Sequence, residues 1–290
     1  MTWKRVATAA LLIPCVVGLV LWGSAAVMAV ALALVILLAL FEFFALGDAI
    51  GHRAYRLWTA TCALVLVFAQ WNAPGEAASP MTEIVSRVRI LGFWVALPKL
   101  EDAFFLFLMG VAVLTLWTKR PMVEALPAAG ISSGGLLLIA FPLTFAVRLE
   151  AIPREGPAIL LFVLVITWVG DTAAYFVGRA VGKRKLAPVL SPKKTWEGTF
   201  ASIFGALLVA VVFSRWLVVP LPHLLTMAAL GNVAGQAGDL LESAYKRSAG
   251  VKDSGSLLPG HGGVLDRIDA LILAIPVVWY YWIWIYTPNR

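Results

Sequence analysis

Long runs of apolar residues with almost no charge inside them dominate this chain, near 6–22, 25–46, 54–71, 101–118, 124–147, 157–179, 196–214, 221–243 and 268–287. A helix rises 1.5 Å per residue and the hydrocarbon of a bilayer is about 30 Å thick, so about 20 apolar residues are needed to cross it. The expected fold is therefore all-α: a polytopic integral membrane protein of about nine transmembrane helices. Only Gly23 and Ser24 separate the first two runs, and 72–100 is broken by Pro74, Pro80, Arg87, Arg89 and Pro98, so it reads as an interfacial or external loop. Ser24-Ala25-Ala26 has the small-residue look of a leader cleavage site, but apolar sequence resumes at once, which argues against a cleaved signal peptide.

Hydrophobic residues make up 61% of the chain and charged residues 13%, against about 45–50% and 25% in soluble domains. Lysines and arginines tend to stay on the cytosolic side of a membrane. Counting alternate loops puts Lys4, Arg5, Arg53, Arg56, Lys119, Arg120 and the basic residues of 179–194 and 246–267 on one side. Arg87, Arg89, Lys99, Arg148, Arg154, Arg215 and Arg290 fall on the other. This sets the N-terminus in the cytosol and the C-terminus outside. The net charge of +7 lies beside spans and follows that sidedness, so membrane lipid headgroups, not nucleic acid, are the expected partner. Cys15 and Cys62 both sit in apolar runs, and no Cys/His cluster has zinc-ligand spacing. No linker divides the chain, so residues 1–150, the N-terminal transmembrane helices, and 151–290, a C-terminal transmembrane catalytic region, form one continuous membrane domain.

Ionisable groups inside spans are costly and face a protein interior or a wet cavity, which makes them functional candidates. Glu42, Asp171, Asp239 and Glu242 lie toward span ends, and Glu197 begins one; in this topology all are at the cytosolic side. Asp266 and Asp269 open the last span from that same side. Asp239, Glu242 and Ser243 are spaced i, i+3, i+4, and Asp266 and Asp269 i, i+3, so each set shares one helix face. Magnesium commonly takes one or two carboxylates plus substrate phosphates, and two such acidic faces can supply them. The structural alternative is that these acids pair with Lys246, Arg247 and Arg267 to hold helix ends together.

Between the two faces lies a polar island, residues 243–269, with Lys246, Arg247, Lys252 and Arg267 to neutralise phosphates, Asp253, and His261 among glycines that allow close backbone approach. For His261 a turn histidine satisfied by backbone stands beside a phosphate contact. A second polar constellation runs from Gly170-Asp171 through Arg179 and Lys183–Lys185 to Ser191-Pro192-Lys193-Lys194-Thr195-Trp196-Glu197-Gly198. Its lysines suit nucleotide or lipid phosphate, or form an ordinary positive-inside loop. Ser191-Pro192 is expected to start the next helix, whose unpaired N–H groups can meet an anion. There is no G-x-x-x-x-G-K-[ST] loop and no strand-flanked G-x-G-x-x-G, which excludes the ordinary P-loop and Rossmann nucleotide enzymes.

Ser243, Lys246, Arg247, Lys252, Asp253, Gly255, Leu258, Pro259, His261, Gly262, Gly263, Asp266, Arg267 and Asp269 together resemble the C-terminal signature of the phosphatidate cytidylyltransferases, or CDP-diacylglycerol synthases. Tyr245 departs from it, standing where the pattern favours an aliphatic residue, Met or Phe. The likeness extends through Gly238–Ser243 and the segments around Asp171 and 191–198, whereas the N-terminal half matches only as hydrophobic spans. It implies transfer of CMP from CTP to phosphatidic acid, giving CDP-diacylglycerol and pyrophosphate; with no obvious organelle-targeting extension the expected location is the cell inner membrane, and the charge count turns the site to the cytosol. It also implies Mg2+, with a monovalent cation such as K+ as a second ion. Asp239 and Asp266 are then the first metal ligands, with Asp269 and Glu242 beside them. Lys246, Arg247, Lys252, Asp253, His261 and Arg267 carry catalysis, and Asp171, Lys193, Lys194, Glu197 and Ser243 bind substrate. A homodimer is the assembly allowed for. A transporter or flippase is the rival class, disfavoured because transport sites lie near the midplane, while these groups gather at one surface; within enzymes the nearer rival is a CTP-dependent polyprenol or phytol kinase, whose C-terminal region is similar.

Overall fold

The computed structural model describes residues 2–73, 87–90, 93–257 and 262–287. All nine apolar runs are helical: α1 (Thr2–Trp22), α2 (Ala25–Ala49), α3 (Arg56–Asn72), α4 (Leu100–Trp117), a rod made of α5 (Ala125–Gly134), a π-turn stretch and α6 (Phe141–Glu150), α7 (Gly156–Val181), α8 (Trp196–Phe213), α9 (Leu221–Ser248) and α10 (Leu265–Tyr281). Six helical stretches among the described residues are long and apolar enough to cross a bilayer: Ala25–Ala49, Leu100–Trp117, Met122–Glu150, Gly156–Val181, Trp196–Phe213 and Leu265–Tyr286. α1 adds a shorter apolar stretch, Ala10–Trp22. α3 has 17 residues, and α9 carries His223, Asn232, Gln236 and several glycines along its apolar part before the charged residues of its C-terminal end.

The short break between α1 and α2 is confirmed, and Ser24 is its physical cause: its Oγ accepts the Val27 N–H at 3.4 Å, an N-cap that starts a new helix. The segment between α3 and α4 carries two short antiparallel strands, β1 (Arg87–Ile90) and β2 (Phe93–Ala96). A second hairpin, β3 (Lys185–Ala187) with β4 (Ser191–Thr195), joins α7 to α8. This corrects the expectation that Ser191-Pro192 begins a helix. Residues 191–195 pair with β3 instead, in a two-stranded ribbon where every strand is an edge and Pro192 is tolerated. The helix begins at Trp196, capped by Thr195, whose Oγ1 accepts Gly198 N–H at 3.2 Å.

α7, α8, α9 and α10 pack as a group, and α6 leans on α10 and α7. With no hydrophobic drive between helices in lipid, close backbone approach and interhelical polar contacts hold such a bundle. Both occur here. Asn232 of α9 is buried and donates to Ser202 Oγ of α8 at 3.0 Å and to the Ile166 carbonyl of α7 at 3.4 Å. The preceding residue, Gly231, faces α7 and α10 so closely that an added Cβ would lie 2.9 Å from Val278 Cγ2 and 3.1 Å from Ile166 Cδ1. Gly231→Leu is therefore expected to destabilise the detergent-solubilised protein by about 1–3 kcal/mol through overpacking, read as a lower midpoint in a thermal melt. An unchanged midpoint would show that α9 is not held at this distance.

Candidate active site

Because α9 and α10 touch along their lengths, the C-terminal end of α9 and the first turn of α10 meet at one end of the bundle. There the acids and bases of the polar island pair. Lys246 Nζ reaches Asp266 Oδ1 at 2.6 Å and also forms an ion pair with Glu242 one turn earlier on α9. The site is nearly closed to solvent, with side-chain exposures of 11% for Lys246, 6% for Asp266 and 1% for Glu242. Asp266 Oδ2 accepts three further hydrogen bonds, from Ser254 N at 3.0 Å, Ser254 Oγ at 3.0 Å and Gly263 N at 2.8 Å. Lys194 of β4 meets Asp239 Oδ2 at 2.6 Å, and Ser243 Oγ lies 3.5 Å from Asp239 Oδ1. The second hairpin thus contributes to the site directly. Arg247 ties it down, donating to the Leu190 carbonyl at 3.4 Å and the Val251 carbonyl at 3.0 Å.

The alternative of acids paired with Lys246 is what the structure shows for Glu242 and Asp266, while Asp239 is paired by Lys194, which spacing along α9 could not reveal. Asp171 of α7 lies within electrostatic reach of Asp239, Lys194 and Arg267, and Asp269 within reach of Asp239, Glu242 and Asp171. Carboxylates from α7, α9 and α10 therefore share one region. Among the described residues no three His, Cys, Asp or Glu side chains converge into a closed metal cage. The donor set fits a hard cation that completes its shell with substrate phosphate and water, the usual habit of magnesium.

Other expected site residues are placed differently. Glu197 accepts the Arg184 N–H with both oxygens, at 3.2 and 3.3 Å, and so braces the second hairpin from the first turn of α8. Lys193, Lys252 and Asp253 are exposed at the rim, as is Arg267 on α10. His261 lies outside the described residues. Tyr245, the departure from the signature, packs edge-on against Phe43 of α2 with ring centroids 5.4 Å apart.

Sequence reasoning missed one participant and the partners of another. Ser254, buried in the island, places its hydroxyl within hydrogen-bond reach of both Asp266 and Glu42. Glu42 is one of the in-span acids, and its position near the C-terminal end of α2 is the available signal; its partner lies more than two hundred residues away, which no local pattern records.

These residues can bind a polyanion and a cation together at the surface of a membrane bundle. The aligned curated relatives named "Phosphatidate cytidylyltransferase" include that of Haemophilus influenzae, 41% identical over 179 residues, covering 58% of this chain and 60% of the relative. That of Bacillus subtilis is 37% identical over 187 residues, 63% of this chain and 67% of the relative. That of Staphylococcus haemolyticus is 33% identical over 217 residues, 71% of this chain and 78% of the relative. The chain thus spans 60% of the length of the first of these. A model described as the cytidylyltransferase family matches residues 3–285, and with almost the whole chain inside that match the protein belongs to the cytidylyltransferase family.

Proposed function

We propose that the chain is a phosphatidate cytidylyltransferase, condensing CTP with phosphatidic acid to give CDP-diacylglycerol and pyrophosphate. The observation that carries this is the ion-paired cluster Lys194–Asp239 and Glu242–Lys246–Asp266, formed by residues of the signature and of the upstream segments that share the likeness, at one end of the bundle, where a lipid phosphate and a soluble nucleotide can both arrive. A phosphatidate phosphate oxygen attacks the α-phosphorus of CTP in line; the new P–O bond forms as the bond from the α-phosphorus to the oxygen bridging to the β-phosphorus breaks, and pyrophosphate leaves with that oxygen. No protein nucleophile takes part, so rate enhancement comes from positioning and from charge placed in advance.

Asp239 and Asp266, with Asp269 and Glu242 behind them, are the residues that would hold magnesium, with room for a K+ alongside; the ion would supply charge compensation for the triphosphate. Lys194 and Lys246 lie on those carboxylates and pass to phosphate oxygens as substrate binds, joined by Lys193, Arg247, Lys252 and Arg267 from the rim. Asp171 adds to the field on the Lys194 side. The nine helices cross the membrane with the N-terminus in the cytosol, which puts this cluster at the cytosolic face of a bacterial inner membrane.

Purified protein given phosphatidate, α-labelled CTP and magnesium should yield a labelled lipid that runs as CDP-diacylglycerol, and none when magnesium is chelated. If γ-labelled CTP instead phosphorylates a polyprenol while phosphatidate stays unmodified, the assignment is wrong and the chain is a CTP-dependent lipid kinase.

A further inference from the structure

The acid that organises the polar island comes from the other end of the chain. Glu42 on α2 is 2% exposed, and its Oε1 accepts the Val264 N–H at 2.9 Å. Its Oε2 accepts the Leu265 N–H at 2.8 Å and lies 3.0 Å from the Ser254 hydroxyl, whose single proton it shares with Asp266 Oδ2. The first N–H groups of a helix lack partners within it and carry partial positive charge. α10 has no side-chain cap of its own at Val264. Glu42 fills that role from a different helix, as a buried anion at the N-terminus of α10. The close fit also accounts for a signature glycine: a Cβ at Gly263 would run into the Glu42 carboxylate and Ser254 Oγ.

We propose that Glu42 is a positioning residue for the reaction, holding the start of α10 and the Ser254 turn so that Asp266 presents Lys246 to the site. The link is continuous: Glu42 to Ser254, Ser254 to Asp266, Asp266 to Lys246 and Lys246 to Glu242. Phe43, the next residue, locks the same helix onto Tyr245, one residue from Lys246. α2 is thus part of the site's frame, although the sequence around it matches the signature only as an apolar span. The catalytic part of this assignment rests on the proposed cytidylyltransferase reaction; the structural part does not.

The test compares wild type, Glu42→Gln and Leu40→Ala. The Glu42→Gln change keeps the shape of the side chain and removes its charge and one acceptor; Leu40 is fully buried two residues away on the same helix and lies against Gly135. Deuterium exchange in peptides covering 262–270 should speed up in Glu42→Gln and not in Leu40→Ala. The kcat for CDP-diacylglycerol should fall by about ten- to a hundred-fold in Glu42→Gln, the range for lost outer-sphere partners, with the KM for phosphatidate within about twofold. Leu40→Ala should keep its kcat even where its melting midpoint drops as far. Unchanged exchange, or a Glu42→Gln kcat no lower than that of Leu40→Ala, overturns the proposal. Should Glu42→Gln fail to fold, Ser254→Ala, which removes only the hydroxyl joining Glu42 to Asp266, carries the same two readouts. A wild-type protein inactive with phosphatidate and CTP would sink the proposed reaction, while the exchange experiment would still decide the role of Glu42 in ordering α10.

Discussion

Asp239→Asn is expected to reduce CDP-diacylglycerol synthesis by at least about a hundred-fold while leaving the fold almost untouched. On the proposed reaction, the rate effect follows from removing a carboxylate that would hold the cation neutralising the triphosphate; single preorganised electrostatic groups contribute about 10²–10³ in turnover. The small stability effect follows from burial. Asp239 is 31% exposed, and although the Nζ of its partner Lys194 is buried, Asp171 stays within electrostatic reach of that ammonium, so the substitution is expected to cost only about 1 kcal/mol. The asparagine keeps the shape and the hydrogen bond to Ser243. Turnover and a thermal melt in the same detergent, with magnesium titrated, separate the two effects. Near-normal turnover at the ordinary magnesium level would remove Asp239 from the site and, with it, the reading that this end of α9 holds the ion.

Lys246→Met should behave in the opposite way, losing stability as well as activity. Lys246 stands between Glu242 and Asp266, all three largely out of solvent. Removing one member of a buried ion cluster leaves charge uncompensated, at a cost of about 3–5 kcal/mol. A large fall in melting midpoint is expected together with loss of turnover. Adding Glu242→Gln to Lys246→Met removes the excess negative charge and should recover much of the midpoint, yet not the activity, because no cation remains there to meet phosphate. A Lys246→Met protein that melts like wild type would mean that the bridge carries no structural weight; recovered turnover in the double variant would mean that Lys246 does not serve the reaction.

Lys194 and Lys246 show why the candidate site was only partly legible beforehand. The residue types and their shared helix faces could be read from the chain, because residue identity and i, i+3 spacing are local properties. Partners could not. Along α9 the obvious cation for Asp239 was one in its own segment, Lys246 or Arg247, but the structure pairs it with Lys194, because the 185–195 segment folds into a hairpin laid beside the helix end. The expectation of a helix at Ser191-Pro192 failed for the same reason: strand pairing with Lys185–Ala187 outweighed a favourable local start signal. Glu197, expected at substrate, accepts the Arg184 amide of that hairpin, a contact no local pattern records.

What the amino-acid sequence determined by itself is the membrane character, the helical make-up and the chemistry gathered in residues 238–269, since run length, apolarity and a gapped motif need no knowledge of neighbours. What only tertiary structure decided is who meets whom: Glu42 capping a helix that begins 223 positions later, and one buried lysine bridging α9 to α10. Such contacts depend on how close small residues let the helices approach, and that distance is a property of the packed bundle, written in no single segment of it.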